Sequence, residues 1–382
     1  MQIALPAFLA DPALAAVLEA VPRARVVGGA VRDALLGRAV ADIDLATPDS
    51  PDAVTAALGA AGLRAVPTGL AHGTVTAVSG HRGFEITSLR RDVATDGRHA
   101  RVSFTEDWQA DAARRDFTIN AMSMTRDGAV FDYFAGLDDL QAGRVRFVGD
   151  PATRIGEDFL RILRFFRFFA RFGQGEPDAA ALAAIAASLD GLARLSPERV
   201  WSELKRLLAA PEPGQSVMLM QRLGVLGAVL PEGVAPGRLL ALLAGGAPPD
   251  PLLRLAALLD GDAGTLAGRL RLSTEERNRL LALRGQGVDP DADDAALRRA
   301  LADTPAEALV GRAWLAGRED LAARLRAMPA PRFPLRGRDL QGMADGPAVG
   351  VALRALRGWW LAGGCVAGAP ELLAELARRQ RH

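Results

Sequence analysis

A chain of 382 residues, 49% hydrophobic and 24% charged, has the composition of a folded protein of two or three domains and excludes wholesale disorder. The net charge of +1 gives no global attraction for nucleic acid, so any basic surface must be local, and with Lys205 the sole lysine among 46 basic residues the arginine bias reads as coding composition. The single cysteine, Cys365, excludes an internal disulfide and a cysteine-rich zinc site and fits a reducing cytoplasm.

The opening MQIALPAFLADPALAA lacks a basic start and is interrupted by Pro6, Asp11 and Pro12. It reads as a short amphipathic lead-in helix and not a signal peptide. No apolar run in the chain approaches the ~20 residues of a membrane span, so no membrane partner is expected, and no protein partner is evident.

The first 150 residues carry strand-like runs (RVVGG, DIDLAT, GTVTAVSG, FEITSL, AVFDYF, RVRFVG) with helical stretches between them. That mixture predicts an α+β head on a small mixed β-sheet. From Asp150-Pro151 onward the strand signal disappears. Successive amphipathic helices follow, separated by Pro-Gly-rich joints such as PEPG at 211–214 and GGAPPDP at 245–251. Ser196 before Pro197 is a plausible N-cap. No fixed-period repeat is visible.

Within the head, Arg25-Val26-Val27 reads as a strand ending at Gly28-Gly29, with a helix over residues 30–36. Free amides at such a helix start suit a phosphate, and Arg32 in the first turn could grip it bidentately. By itself, though, a glycine pair before a helix is commonly just a tight turn. Next comes Asp42-Ile43-Asp44-Leu45. Residues two apart in a strand share a face, so the two aspartates project together while Ile43 and Leu45 point inward. Adjacent like charges suit a cation such as Mg²⁺, held by one or two carboxylates plus substrate phosphates. A solvated strand edge is the plainer alternative.

The run Arg114-Arg115-Asp116-Phe117-Thr118-Ile119-Asn120-Ala121 could be a surface ion pair, or Arg115 could offset charge developing on a leaving pyrophosphate. A helix from Glu157 places Asp158, Arg161, Arg164, Arg167 and Arg171 near one face, with Leu, Ile and Phe filling the rest. So apolar a helix should be buried, its charged stripe bordering a cleft. Cytosine and adenine each present an amino donor beside a ring-nitrogen acceptor. Asp158 can accept from the first while Arg161 donates to the second; guanine and uracil present the reverse pattern.

Together with Arg154-Ile155-Gly156-Glu157-Asp158, these segments resemble the class II tRNA nucleotidyltransferases, the CCA-adding enzymes and bacterial poly(A) polymerases of the polymerase-β-like superfamily. The resemblance is strong over residues 22–175 and weaker in the tail, around Pro334-Leu335-Arg336-Gly337, Gly346-Pro347 and Trp359-Trp360. It implies a seahorse-like molecule: head at 1–150, neck at 151–210, body at 211–330 and a tRNA-binding tail at 331–382, the last three all-α. Asp42 and Asp44 would be Mg²⁺ ligands, and Gly29, Arg32 and Arg115 triphosphate contacts. Asp158 and Arg161 would read the base, with Arg164 and Arg167 at the nucleotide, and tRNA, ATP and CTP would be the partners. Glu85 is a further candidate acidic group.

With four His in all (72, 81, 99 and 382), a His-Asp phosphohydrolase domain found in some relatives is not expected. Poly(A) polymerases of the family carry Gly-Arg-Arg-Phe where this chain has Asp96-Gly97-Arg98-His99, which favours CCA addition. Residues 92–102 match the loop that full enzymes use to switch from C to A. The alternatives are a poly(A) polymerase, an enzyme adding only CC or only A, an RNA-binding protein with a decayed head, or a glycosyltransferase. The last two leave intact Asp42 and Asp44, or the Asp158/Arg161 pair, without a task.

Overall fold

The computed structural model describes residues 6–40, 42–69, 73–95, 100–343 and 346–381. Two compact units result, Met1–Val229 and Leu230–His382. No helix among the described residues is long and apolar enough to cross a membrane.

The first unit holds the sheet. Strands β1 (Arg25–Val27), β2 (Asp44–Thr47), β3 (Arg64–Gly69), β4 (Thr74–Ser79), β5 (Arg82–Ser88), β8 (Ser123–Met124) and β9 (Val130–Phe131) lie in the order β3-β4-β5-β2-β1-β8-β9. β6 (Arg90–Thr95) and β7 (Ala100–Phe104) form a separate antiparallel hairpin. Only β2 and β5 pair in parallel, so the sheet is mixed, as the sequence predicts. Strand β4 alternates half-buried and buried residues, the period-two signature of a sheet covered on one face. Helices α1 (Pro12–Ala20) and α3 (Pro51–Ala60) provide that cover, with Leu14, Val17, Val54 and Leu58 fully buried. Each helix begins with Pro after a residue whose side chain accepts a free amide, Asp11 from Ala13 and Ser50 from Ala53.

Two strand expectations change. The RVRFVG run contributes only one bridge, Phe117 to Phe147, because its partner segment turns into a short 3-10 helix at Thr118–Asn120 instead of extending a ladder. AVFDYF shrinks to the two residues of β9.

Helices α2 (Gly29–Leu35), α4 (Trp108–Ala113), α5 (Gly136–Gln141), α6 (Pro151–Glu157), α7 (Leu160–Phe172), α8 (Ala179–Ala186), α9 (Pro197–Leu208) and α10 (Gly214–Arg222) complete most of this unit. Ser196 precedes Pro197 at the start of α9 without a side-chain cap bond. Helix α7 is fastened by aromatic rings. Phe117 lies 4.9 Å from Phe147 and 5.1 Å from Phe168, and Phe165 stacks on Phe169 at 6.1 Å. Each such pair adds about 0.5–1.5 kcal/mol beyond area burial, so the segment from Asp116 to Asn120 is packed against helix α7 through Phe117. Helix α10 packs on the far side, Ser216 Oγ donating to Phe166 O at 3.0 Å.

The second unit is helical among its described residues, apart from one isolated bridge between Val234 and Leu259. Its C-terminal part has its own core, Leu335, Leu340, Leu356, Trp360, Cys365, Leu372 and Leu376, built around the helix Pro347–Ala362. Gly346 opens that helix at φ 53°, a conformation that favours glycine.

Candidate active site

Register brings the glycine turn to the acidic strand. Val27, the last residue of β1, pairs with Asp44, the first of β2, so Asp44 lies beside Gly28 and Gly29. On its other side Asp44 pairs with Glu85 of β5. Asp42 precedes the ladder and is exposed; the strand begins two residues later than the sequence suggested. Loss of surrounding water and then the like charge of Glu85 push the Asp44 carboxyl above its ordinary value, against the opposing pull of Arg115, with Asp42 adding to the rise. A divalent cation supplies the positive charge that such a pair of oxygen donors lacks, so the residues present fit one.

Gly28 is required twice over. Its φ of 69° with ψ of −125° is a glycine conformation, and a Cβ there would stand 3.0 Å from Arg115 Nη1. Arg115 donates to Asn120 O at 3.4 Å and faces Asp111 at 3.5 Å. Arg32 is buried, which lowers its pKa. Its fork goes to Asp33 at 3.0 and 3.1 Å and its remaining nitrogen to Asn120 Oδ1, while the group stacks over Phe172. In this state the arginine expected to clasp phosphate is thus held by protein acceptors.

The helix expected to read the base is not continuous. α6 ends at Glu157, Asp158 is extended (φ −157°, ψ 107°), and α7 starts at Leu160. Asp158 therefore stands at a joint, where its Oδ1 accepts from Leu160 N at 3.1 Å. It does not share the stripe of Arg161, Arg164 and Arg167. The reason is local: the free amides of the first turn of α7 need an acceptor, and a short acidic side chain supplies it. Arg161 donates to Arg154 O at 2.7 Å, to Arg114 O at 3.3 Å and to the Glu157 carboxylate. Arg164 donates from Nε to Asp116 Oδ2 at 2.7 Å; burial works against its charge, but Asp116 and then Glu203 raise its pKa. Arg167 turns to Glu203 at 2.6 Å and lies over Phe168.

One cleft of about 470 Å³ collects most of these groups. Gly29, Arg32, Asp44, Arg115, Asp158, Arg161 and Arg164 line it; Asp42, Glu85 and Arg167 do not. Its lining carries six arginines against three aspartates, the balance that a polyanion calls for. Sequence reasoning did not single out Asn120 or Arg199, both in the lining. Asn120 belongs to the run of residues 114–121, but nothing local marks Arg199, which arrives from α9. The expected switching loop falls on the β6–β7 hairpin, and residues 96–99 lie outside the described residues.

A mixed sheet that sets a carboxylate strand against a glycine-turned helix, over an arginine-rich cleft, defines a nucleotidyltransferase. Residues 24–146 match the family model described as poly A polymerase head domain, and residues 176–235 that described as probable RNA and SrmB- binding site of polymerase A. The CCA tRNA nucleotidyltransferase 1, mitochondrial, of Danio rerio is 39% identical over 93% of this chain and 87% of its own length. The Homo sapiens protein of the same name is 37% identical over 93% and 86%. Among solved structures, the Bacillus stearothermophilus CCA-adding enzyme in complex with CTP superposes with a TM-score of 0.72 at 25% identity, covering 97% of this chain and 98% of that one. The Thermotoga maritima CCA-adding enzyme complexed with tRNA has the same fold, with a TM-score of 0.68 at 20% identity over the full length of both. The chain belongs to the class II CCA-adding tRNA nucleotidyltransferases.

Proposed function

We propose that this chain adds CCA to the 3′ end of tRNA without a nucleic-acid template, using CTP and ATP and releasing pyrophosphate. The observation that carries the reading is the single cleft in which Asp44, Arg115 and the Asp158–Arg161 pair lie together. The relatives' names and the CTP-bound structure support the same substrates.

Asp42 and Asp44 would hold the divalent cation, and Mg²⁺ is the choice for an oxygen-only donor set shared with phosphates. When bound, the cation supplies Lewis-acid polarisation of the α-phosphate and alignment of the attacking hydroxyl. The 3′-hydroxyl of the RNA releases its proton to water as its oxygen forms the new bond to the α-phosphorus and the bond to the β-phosphate bridge breaks, with pyrophosphate as the leaving group. Gly29, Arg32 and Arg115 position the triphosphate and offset charge on the departing pyrophosphate. Asp158 accepts from the base amino group and Arg161 donates to the ring nitrogen. Arg164 flanks the nucleotide, and Arg167 supports it from behind through Glu203. Glu85, beside Asp44, adds negative charge to the cation site.

Residues 1–150 serve as head, 151–210 as neck and 211–330 as body. Residues 331–382 serve as the tail that holds the tRNA elbow, with the Gly346-Pro347 helix start as a backbone-phosphate contact. A reducing compartment, the cytoplasm, suits the one free, buried Cys365.

Incubation with tRNA lacking CCA and each labelled triphosphate is the direct test. Two C residues followed by one A are expected. A long poly(A) run, or equal use of UTP and GTP, would overturn the proposal.

A further inference from the structure

Asp158 is held by two elements far apart in the chain. Its Oδ1 accepts from Leu160 N at 3.1 Å, and its Oδ2 accepts from Arg199 Nη2 at 2.6 Å across 41 residues of sequence. Arg199 sits in the first turn of α9 and lines the same cleft. One helical turn later Glu203, 4% exposed, takes Arg167 Nε at 2.6 Å and stands 3.7 Å from Arg164. Val200, Trp201 and Leu204 of the same helix are buried. Arg199 is therefore presented by an element fixed on both its charged and its apolar side.

The terminal torsion of a carboxylate is broad and two-fold, so an aspartate at a break between helices swings unless both oxygens are tied. The Leu160 amide ties one oxygen and leaves the group free to turn about it. Arg199 ties the other and fixes the plane. An ionised carboxylate only accepts hydrogen bonds and has about four acceptor sites. With one site on each oxygen taken by protein, the rest keep a set direction.

We propose that Arg199 is the positioning residue for base choice: it fixes the plane of the Asp158 carboxylate, whose free lone pairs then accept an amino group of cytosine or adenine and repel the carbonyl oxygen of uracil or guanine. This rests on the reading of Asp158 as base reader. Without Arg199 the carboxylate turns away from the incoming base, so both the attraction and the repulsion weaken. A lysine in its place offers a point charge that reaches one oxygen without the planar fork, and restores part of the effect.

The experiment uses the full chain with CCA-less tRNA and compares kcat/KM for CTP, ATP, UTP and GTP. The proteins are the parent, R199A, R199K, D158A and D158A/R199A, each checked for parental thermal unfolding. In R199A the CTP-to-UTP preference is expected to fall about tenfold, the worth of one charge-assisted hydrogen bond, with R199K between R199A and the parent. Adding R199A to D158A should cost no further selectivity, since Arg199 acts through Asp158. If D158A loses selectivity while R199A keeps the parental ratio, the role of Arg199 falls and the reading of Asp158 stands. A parental ratio in D158A removes that reading and this inference together. An additive loss in the double variant, or a lower KM for CTP in R199A, would also overturn the proposal, because Arg199 would then touch substrate directly or compete with it for Asp158. If R199A unfolds, R199K carries the comparison, and a parental ratio in that variant counts against the role.

Discussion

Replacing Asp116 tests whether the site is held by a buried polar relay. Asp116 is 9% exposed, and its carboxylate accepts from Phe117 N at 2.9 Å, Asn120 Nδ2 at 3.2 Å and Arg164 Nε at 2.7 Å. Asn120 in turn accepts from Arg32, so Asp116 connects α7 to the glycine-turned helix α2. Asp116→Ala strands these donors. Breaking a buried pair by removing one partner costs about 3–5 kcal/mol. The Arg164 side chain is 30% exposed and can lean toward Glu203 or water, so the lower end of that range, about 3 kcal/mol, applies here. Asp116→Leu with Arg164→Met removes both charges and should recover only part of that loss, since the Phe117 and Asn120 donors stay stranded, while triphosphate affinity stays impaired in both variants. Burial works against the charged form of Asp116, but Arg164, Asn120 and the Phe117 amide outweigh it and hold the carboxyl below its ordinary pKa. A depressed pKa contributes stability above the unfolded value of about 3.9, lost as pH falls through the lower folded value. The gap between parent and Asp116→Ala should therefore be full at neutral pH and shrink below that point. Urea unfolding at several pH values measures it. A gap under about 1 kcal/mol at pH 7, or one that grows in acid, refutes the relay.

Asp42→Ala and Asp44→Ala should each reduce nucleotidyl transfer by orders of magnitude with tRNA binding retained, and chelation of divalent cations should do the same to the parent. More than a few per cent of parental rate in both variants would end the two-carboxylate scheme. Gly28→Ala places a Cβ 3.0 Å from Arg115 Nη1 at a φ of 69°, so triphosphate KM should rise and stability fall by about 1–3 kcal/mol; parental values for both would show that the turn tolerates a side chain. Ending the chain at residue 330 should weaken tRNA affinity at a fixed salt concentration while leaving triphosphate binding intact. Equal tRNA affinity would take the tail out of RNA recognition.

What the amino-acid sequence determined by itself was local and periodic. Strand-like runs marked β1, β2, β4 and β5, the Ser196-Pro197 pair marked a helix start, and the aromatic-rich run 160–172 announced a buried helix with a charged border. The motif residues were legible for the same reason: their spacing is the spacing of a turn or a strand. Tertiary structure decided the rest. Register, set by pairing Val27 with Asp44 and Asp44 with Glu85, put the acidic strand beside the glycine turn. The break at Asp158 reflects a choice between continuing a helix and satisfying its free amides, which periodicity does not encode. Arg199 reaches the cleft, and Glu203 reaches Arg167 behind it, from another helix through contacts 41 and 36 residues long in sequence. No local pattern carries such a contact, because it exists only once the two helices have buried their apolar faces against each other.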